Sequence, residues 1–295
     1  MKRSVLLGVL VGVGMLSLGV AGYQGQPPGP KTFEVDKVRD NLYVLKGGGG
    51  NVAVYVGSTG VTVVDAKNPG WGQTVLDKIK ELTNKPVTTL INTHTHGDHV
   101  GGNVDFPATV DIVAHENTKA NMERMDSFKA NPKGMAKRTF KDRMTIGSGP
   151  DQADLYYFGA GHTNGDAFVV WPSIKAMHAG DIFANKGLPL IDTNNGGNIV
   201  AIGETLQKAH DGIKGVEAIV TGHAPAAMTW ADLQMQADFL KDFVKWARAE
   251  KAAGKSVDEA AAEYKVPEKY AGYSGTVSPL FGGMKALVQQ VYDTK

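Results

Sequence analysis

The chain is predicted to be a mixed α/β (α+β) protein in which two mixed β-sheets pack face to face and helices cover their outer surfaces. Three observations predict this. The first third holds short β-rich runs separated by glycines; an order of strands, helix, strands, helix then runs twice over; and from Thr229 the pattern becomes helical.

In chain order, residues 22–32 are rich in Gly and Pro and read as a linker. From 33 to 66, apolar and turn residues alternate. The runs 42–45, 52–56 and 61–64 are separated by the glycine-bearing stretches 47–50 and 57–60, the pattern of an antiparallel meander. Residues 71–82 have helical spacing, with Val75, Ile79 and Leu82 on one face. Residues 87–92 read as a buried strand that runs straight into a histidine cluster, and 110–114 as another strand. A helix is expected from 117 to about 128, and the basic, polar stretch 131–142 is expected to be a solvated loop or helix edge. Further short strands fall at 155–158, 168–171 and 176–178. A helix fits 198–213, and 218–220 leads a last strand into Thr221-Gly222-His223. Beyond that, 232–252 is a long amphipathic helix whose apolar members include Leu233, Phe239, Leu240, Phe243 and Trp246. Shorter helices are expected at 257–264 and 283–292. We read 33–228 as the main domain and 229–295 as a helical extension packed on it, since nothing titratable clusters in the extension.

Of the 295 residues, 42% are hydrophobic and 21% charged, which implies a packed core and not disorder. The formal net charge is +1 with no basic stripe, which argues against a nucleic-acid partner. The chain has no cysteine, hence no disulfide and no lipid-modified cysteine, and any metal must be held by His, Asp or Glu. Residues 1–21 read as an export signal: Lys2 and Arg3 lead an apolar stretch that ends in Gly19 and Ala21, a spacing suited to cleavage. The competing reading, a retained anchor, suffers from a stretch short for a span. The expected product is periplasmic or secreted, with no stable membrane span after cleavage.

Chemistry concentrates in residues 91–103, where His94, His96, Asp98 and His99 fall within six positions just after a strand. Imidazole nitrogen and carboxylate oxygen are the ligands that zinc and similar divalent ions accept. In extended chain His94 and His96 point the same way. Asp98 and His99 must follow a bend, for which Gly97 is expected to supply the freedom. The first two can therefore serve one metal and the second two another. Three more candidates end apolar runs, each after a glycine that would permit close approach: His162 after Gly161, Asp181 after Gly180 and His223 after Gly222.

The His-x-His-x-Asp-His loop, Gly161-His162-Thr163, Gly180-Asp181 and Gly222-His223-Ala224-Pro225, in this order, resemble the metallo-β-lactamase superfamily over roughly residues 33–225. The resemblance implies an αββα four-layer sandwich with its metal site at one edge of the two sheets. Carried over position by position, it implies that His94, His96 and His162 bind a first zinc, that Asp98, His99 and His223 bind a second, and that Asp181 bridges them. The expected cofactor is thus two zinc ions per chain and the expected partner a small-molecule substrate; the oligomeric state is left open. Two zinc ions sharing a water would yield a hydroxide nucleophile near neutral pH, with Asp98 the candidate catalytic residue that orients it or handles its proton. Residues 47–50 lie where the family often has a flap over the site, and a plain hairpin loop is an equal reading.

Export makes β-lactams the leading substrate, and Gly161-His162-Thr163 followed by 168–171 resembles the β-lactamase branch. A bridging Asp181 points instead to lactones, esters or thioesters, as in hydrolases of the glyoxalase II type. A di-iron reductase on this fold would carry Glu where His96 stands, and a non-catalytic zinc-binding protein is a remote alternative. Among the remaining histidines, His115 and His178 are expected to pack or to orient other groups, and His210 to lie on a helix surface. Asp65 resembles an acidic residue behind the metals, with the expected role of orienting a ligand imidazole.

Overall fold

A computed structural model of the chain describes residues 31–294. The expected export signal, and all of the linker but its last two residues, lie outside the described residues.

One sheet comprises β1 (Glu34–Arg39), β2 (Leu42–Lys46), β3 (Val52–Val56), β4 (Val61–Val64), β5 (Val87–Asn92), β6 (Asp111–His115) and β7 (Arg138–Phe140), side by side in chain order. β1 to β4 pair antiparallel, as tight turns allow, and β4 to β7 pair parallel. Parallel pairing requires crossovers. These are α1 (Gly72–Leu82), α2 (Gly97–Val100) with the short turn after it, and α3 (Glu116–Arg124) with α4 (Asp126–Ala130). The other sheet comprises β8 (Arg143–Ile146), β9 (Ala153–Tyr156), β10 (Phe168–Trp171), β11 (Ala176–Gly180) and β12 (Ala218–Thr221), also in chain order. It is antiparallel up to β11, and β12 lies parallel to β11 after the crossover helix α5 (Ile199–Gly212). The chain ends with α6 (Trp230–Ala252), α7 (Val257–Glu263) and α8 (Gly283–Asp293).

Strand periodicity builds the layers. Neighbouring residues on a strand face opposite ways, and here both faces of both sheets are apolar. Val44, Ala53, Tyr55, Val64, Ile91 and Val113 of the first sheet meet Leu155, Val169, Trp171 and Val220 of the second in one cluster between the sheets. Their chain neighbours Leu45, Val54, Val63, Leu90 and Ile112 face outward onto Val75, Leu76 and Ile79 of α1. Phe168, Val170, Met177 and Ile219 face outward from the second sheet onto Ile202 and Leu206 of α5 and Leu233, Phe239 and Phe243 of α6. The result is helices, sheet, sheet, helices. Each fully buried Leu, Ile, Val or Phe contributes about 1.5–3 kcal/mol of hydrophobic stabilisation, and α6, α7 and α8 supply part of that outermost core.

Two expectations are corrected. The helix expected from 117 to 128 is two helices, with Met125 extended between them (φ −74°, ψ 130°). Met122 and Phe128 both pack on Val100. Six residues apart, they would lie about 240° apart around an unbroken helix, so the break is what lets both reach it. The stretch 131–142, expected to be loop or helix edge, holds β7 and leads into β8. β7 buries only Phe140 and β8 is half exposed, so neither edge strand carries an apolar run to read.

Candidate metal centre

The seven sequence-predicted site residues converge at one edge of the two sheets. His94 and His96 lie in the loop leaving β5, Asp98 and His99 in α2, and His162 between β9 and β10. Asp181 directly follows β11, and His223 lies two residues after β12. The ligand atoms of His94, His96, His162 and Asp181 form one group, and those of Asp98, His99 and His223 another, all within 4.8 Å of one another inside each group. Asp181 lies between them. Its Oδ2 is 3.6 Å from His162 Nε2 and 3.2 Å from His223 Nε2, and its Oδ1 is 3.3 Å from His99 Nε2. The bend expected at Gly97 comes earlier, through Thr93, His94 and Thr95; His96 is extended (φ −67°, ψ 146°), and Gly97 simply begins α2, with nothing near enough to crowd a side chain there. Gly222, by contrast, is required: a Cβ on it would lie 1.7 Å from Asp181 Oδ1.

The hydrogen-bond partners fix which nitrogen of each ring carries the proton. His162 Nδ1 faces the Leu190 carbonyl at 2.7 Å, and a carbonyl only accepts, so Nδ1 donates and Nε2 is bare. His96 Nε2 donates to the Asp192 carboxylate at 2.8 Å, leaving Nδ1 bare. His99 Nδ1 donates to Asp65 at 2.7 Å. Thr93 gives its hydroxyl proton to Asp65 and can then accept from His94 Nδ1, 3.0 Å away. Three bare nitrogens, those of His94, His96 and His162, therefore point into the space around Asp181. Those of His96 and His162 are only 2.8 Å apart, close enough that they must share either a proton or a metal ion. His94 Nε2 is buried with no hydrogen-bond partner at all, and Asp181 Oδ1, also buried, makes no well-aligned hydrogen bond and meets only the His99 ring, 3.3 Å away. Buried polar groups are rarely left so. The donor set and these orphaned atoms fit divalent metal ions.

Electrostatics prepare the same chemistry. Burial, then repulsion from His99, hold His94 well below the ordinary histidine range, and burial lowers His162 to about 4. Both rings are thus neutral at pH 7, as metal ligation requires. Burial pushes Asp181 up, but His99 and His223 outweigh it and hold the carboxyl well below its usual range. Burial likewise opposes a proton on His99, but the Asp181 and Asp65 carboxylates raise it, so a metal entering there must displace that proton.

Asp65 takes three hydrogen bonds, from Thr93 N, Thr93 Oγ1 and His99 Nδ1, and so orients two of the rings. His178 bonds the Asn51 carbonyl at 3.1 Å and accepts from Gly180 N at 3.0 Å, bracing the turn into Asp181. His115 bonds the Lys141 carbonyl and stacks on Tyr157, and His210 stacks on Trp230, each outside the centre. The 47–50 loop packs against the centre: a Cβ at Gly48, Gly49 or Gly50 would strike Trp71, Asp98 or His99 respectively. Lys67, fully buried, ties this loop down by donating to the Leu45 and Gly50 carbonyls at 2.6 Å each. Sequence reasoning missed Asp192, Thr93, Lys67 and the Leu190 carbonyl. The only sequence signal at Asp192 is that of a turn cap, which it also is, accepting from Asn194 N and Asn195 N. A cleft of about 280 Å³ opens beside the centre, with His162, Asp181 and His223 on one side and Ser274, Thr276 and Ser278 among its other walls.

A family model described as the metallo-beta-lactamase superfamily matches residues 45–241. The chain is 31% identical over 183 residues to the metallo-beta-lactamase type 2 of Elizabethkingia meningoseptica, covering 57% of this chain and 69% of that protein. It is 29% identical over 166 residues to the 2,4-dinitroanisole O-demethylase subunit alpha of Nocardioides sp. (strain JS1661), covering 55% of this chain but only 48% of that protein. Among solved structures, a metallo-beta-lactamase from Pontibacter korlensis superposes with a TM-score of 0.61 at 20% identity, over 72% of this chain and all (100%) of that one. The stereoselective inverting sec-alkylsulfatase of Pseudomonas sp. superposes with a TM-score of 0.71 at 14% identity, over 88% of this chain and 50% of that one. At these identities the structural likenesses establish the shared fold alone.

Proposed function

The chain belongs to the metallo-β-lactamase superfamily, whose members are mostly hydrolases, and from that premise we propose that it is a binuclear zinc hydrolase opening an amide or ester bond of a small molecule, with β-lactams the leading substrate. The observation that carries the proposal is the convergence of bare, buried imidazole nitrogens around one carboxylate. In this reading His94, His96 and His162 hold one ion, Asp98, His99 and His223 the other, and Asp181 reaches both. When bound, the ions supply an acidified water and polarise the scissile carbonyl. Thr93, Asp65, Asp192 and the Leu190 carbonyl hold the rings in the tautomers that ligation needs. The side chain of Asp98 is 30% exposed and that of Asp181 only 9%. Asp98 is therefore the carboxylate better able to orient the attacking water or take its proton. The apolar N-terminal stretch led by Lys2 and Arg3 supports action outside the cytoplasm.

A second reading, hydrolysis of a lactone, ester or thioester, is favoured by one feature, the position of Asp181 between the two groups. The test is hydrolysis of a chromogenic cephalosporin by the purified protein, with and without chelator, beside an Asp98→Ala control. Turnover lost on chelation and in the variant is expected. Absence of turnover from protein that still holds its zinc would overturn the β-lactam reading, and activity on a lactone or thioester panel would then establish the second.

A further inference from the structure

The segment between α7 and α8 reaches back over the metal centre. Ser274 pins it: Ser274 N donates to the Lys186 carbonyl at 3.1 Å, and Leu188 N donates to the Ser274 carbonyl at 3.0 Å. Gln236 of α6 holds the intervening Gly187 through both its amide atoms. Thr276 and Ser278 then continue along the cleft, opposite His162, Asp181 and His223. At the end of the segment the Phe281 ring stacks on the His96 ring, with centroids 5.9 Å apart and planes 18° apart.

Phe281 holds this position in the left-handed region (φ 60°, ψ 26°), a backbone conformation rarely adopted by an aromatic residue. It remains 39% exposed and Leu280 beside it 62% exposed, and among the described residues Met235 is the only other large apolar side chain left so open. Core packing accounts for neither residue. On another side of the centre, the 47–50 loop is all glycine and offers no apolar side chain. Leu188, Pro189 and Leu190 line the cleft itself, and the C-terminal helical region adds the exposed aromatic face of Phe281 beside His96.

We propose that Phe281 is a specificity-determining wall beside the metal centre, next to the cleft, receiving an aromatic or branched apolar group carried beside the scissile bond. This rests on the hydrolase reading, so the test uses binding and not turnover. The cobalt-loaded protein is titrated with 2-phenylethanethiol and with ethanethiol, which share a metal-seeking thiolate and differ in one phenyl group; the thiolate-to-cobalt absorption reports binding. Relative to wild type, Phe281→Ala is expected to reduce the preference for the phenyl ligand by about tenfold or more, with cobalt content and ethanethiol affinity unchanged. Phe281→Leu should keep an intermediate preference. A preference in Phe281→Ala within about threefold of wild type, or equal loss of both thiols, would overturn the proposal. Hydrolysis is scored on the same preparations. No turnover with the thiol preference intact sinks the hydrolase reading alone, turnover without the preference sinks the wall alone, and a protein that binds neither metal nor thiol sinks both.

Discussion

Asp192 decides which nitrogen of His96 is available, because the carboxylate takes the Nε2 proton and leaves Nδ1 bare. Burial opposes its ionisation, but the His96 hydrogen bond lowers it to about 2, so it accepts throughout the working range. Asp192→Ala is expected to weaken zinc binding by about 10- to 100-fold in competition with a chromogenic chelator; unchanged affinity would contradict the assignment. Gly222→Ala would drive a methyl into Asp181, and overpacking of this kind costs about 1–3 kcal/mol, to be read as a lowered unfolding midpoint together with lost metal. Lys67 gives the pH test. Burial lowers it to about 7 from 10.5. Between those values the folded state binds fewer protons than the unfolded chain, so stability rises with pH across the window. The melting temperature of Lys67→Met minus that of wild type should therefore fall from pH 7 to pH 10, whereas a flat difference would show that Lys67 is not depressed. At this scale the seven candidate ligands were legible, because a dense His/Asp loop and three Gly-preceded residues are local patterns. Asp192 and Thr93 were not, because their meaning lies in which ring they touch, 96 residues away in one case.

Elements with clear periodicity were legible to within a residue or two: β3, β4, β5 and β10 match their expected limits, and α6 begins two residues before its expected start. The kink at Met125 was not, since only the position of Val100 makes it favourable. β7 and β8 were not, because short edge strands with one or no buried side chain carry no alternation. The glycine loop was read as a flap or a plain hairpin, and the structure packs it tightly on Asp98 and His99. α6 allows a direct check of the outer layer. Its Thr229/Asp232 capping box closes the helix start, and Thr229→Ala should cost about 1 kcal/mol. Phe239, fully buried in the cluster shared with the second sheet, should cost about 3–5 kcal/mol as Phe239→Ala. Denaturant melts giving equal values would mean that α6 does not belong to that core.

For the whole molecule, four layers follow from strands apolar on both faces, which is why the architecture could be anticipated from short runs and their order. What the order could not say is that segments far apart in sequence share one edge: the loops after β5, β11 and β12, and the strand-free return between α7 and α8. Metal bound as proposed would join the ligand-bearing loops among these segments. At free zinc of 100 times its dissociation constant, one bound ion adds about 2.7 kcal/mol to folding stability. Chelation should therefore lower the melting temperature by about 5–10 °C for a domain of this size. The most direct test of the metal centre is zinc titration of the metal-free protein alongside His94→Ala and His223→Ala, with bound metal counted per chain. The account predicts about two ions for wild type and about one for each variant, with the remaining ion in the group that was left intact. Wild type holding fewer than about one ion, or both variants keeping the full complement, would contradict it.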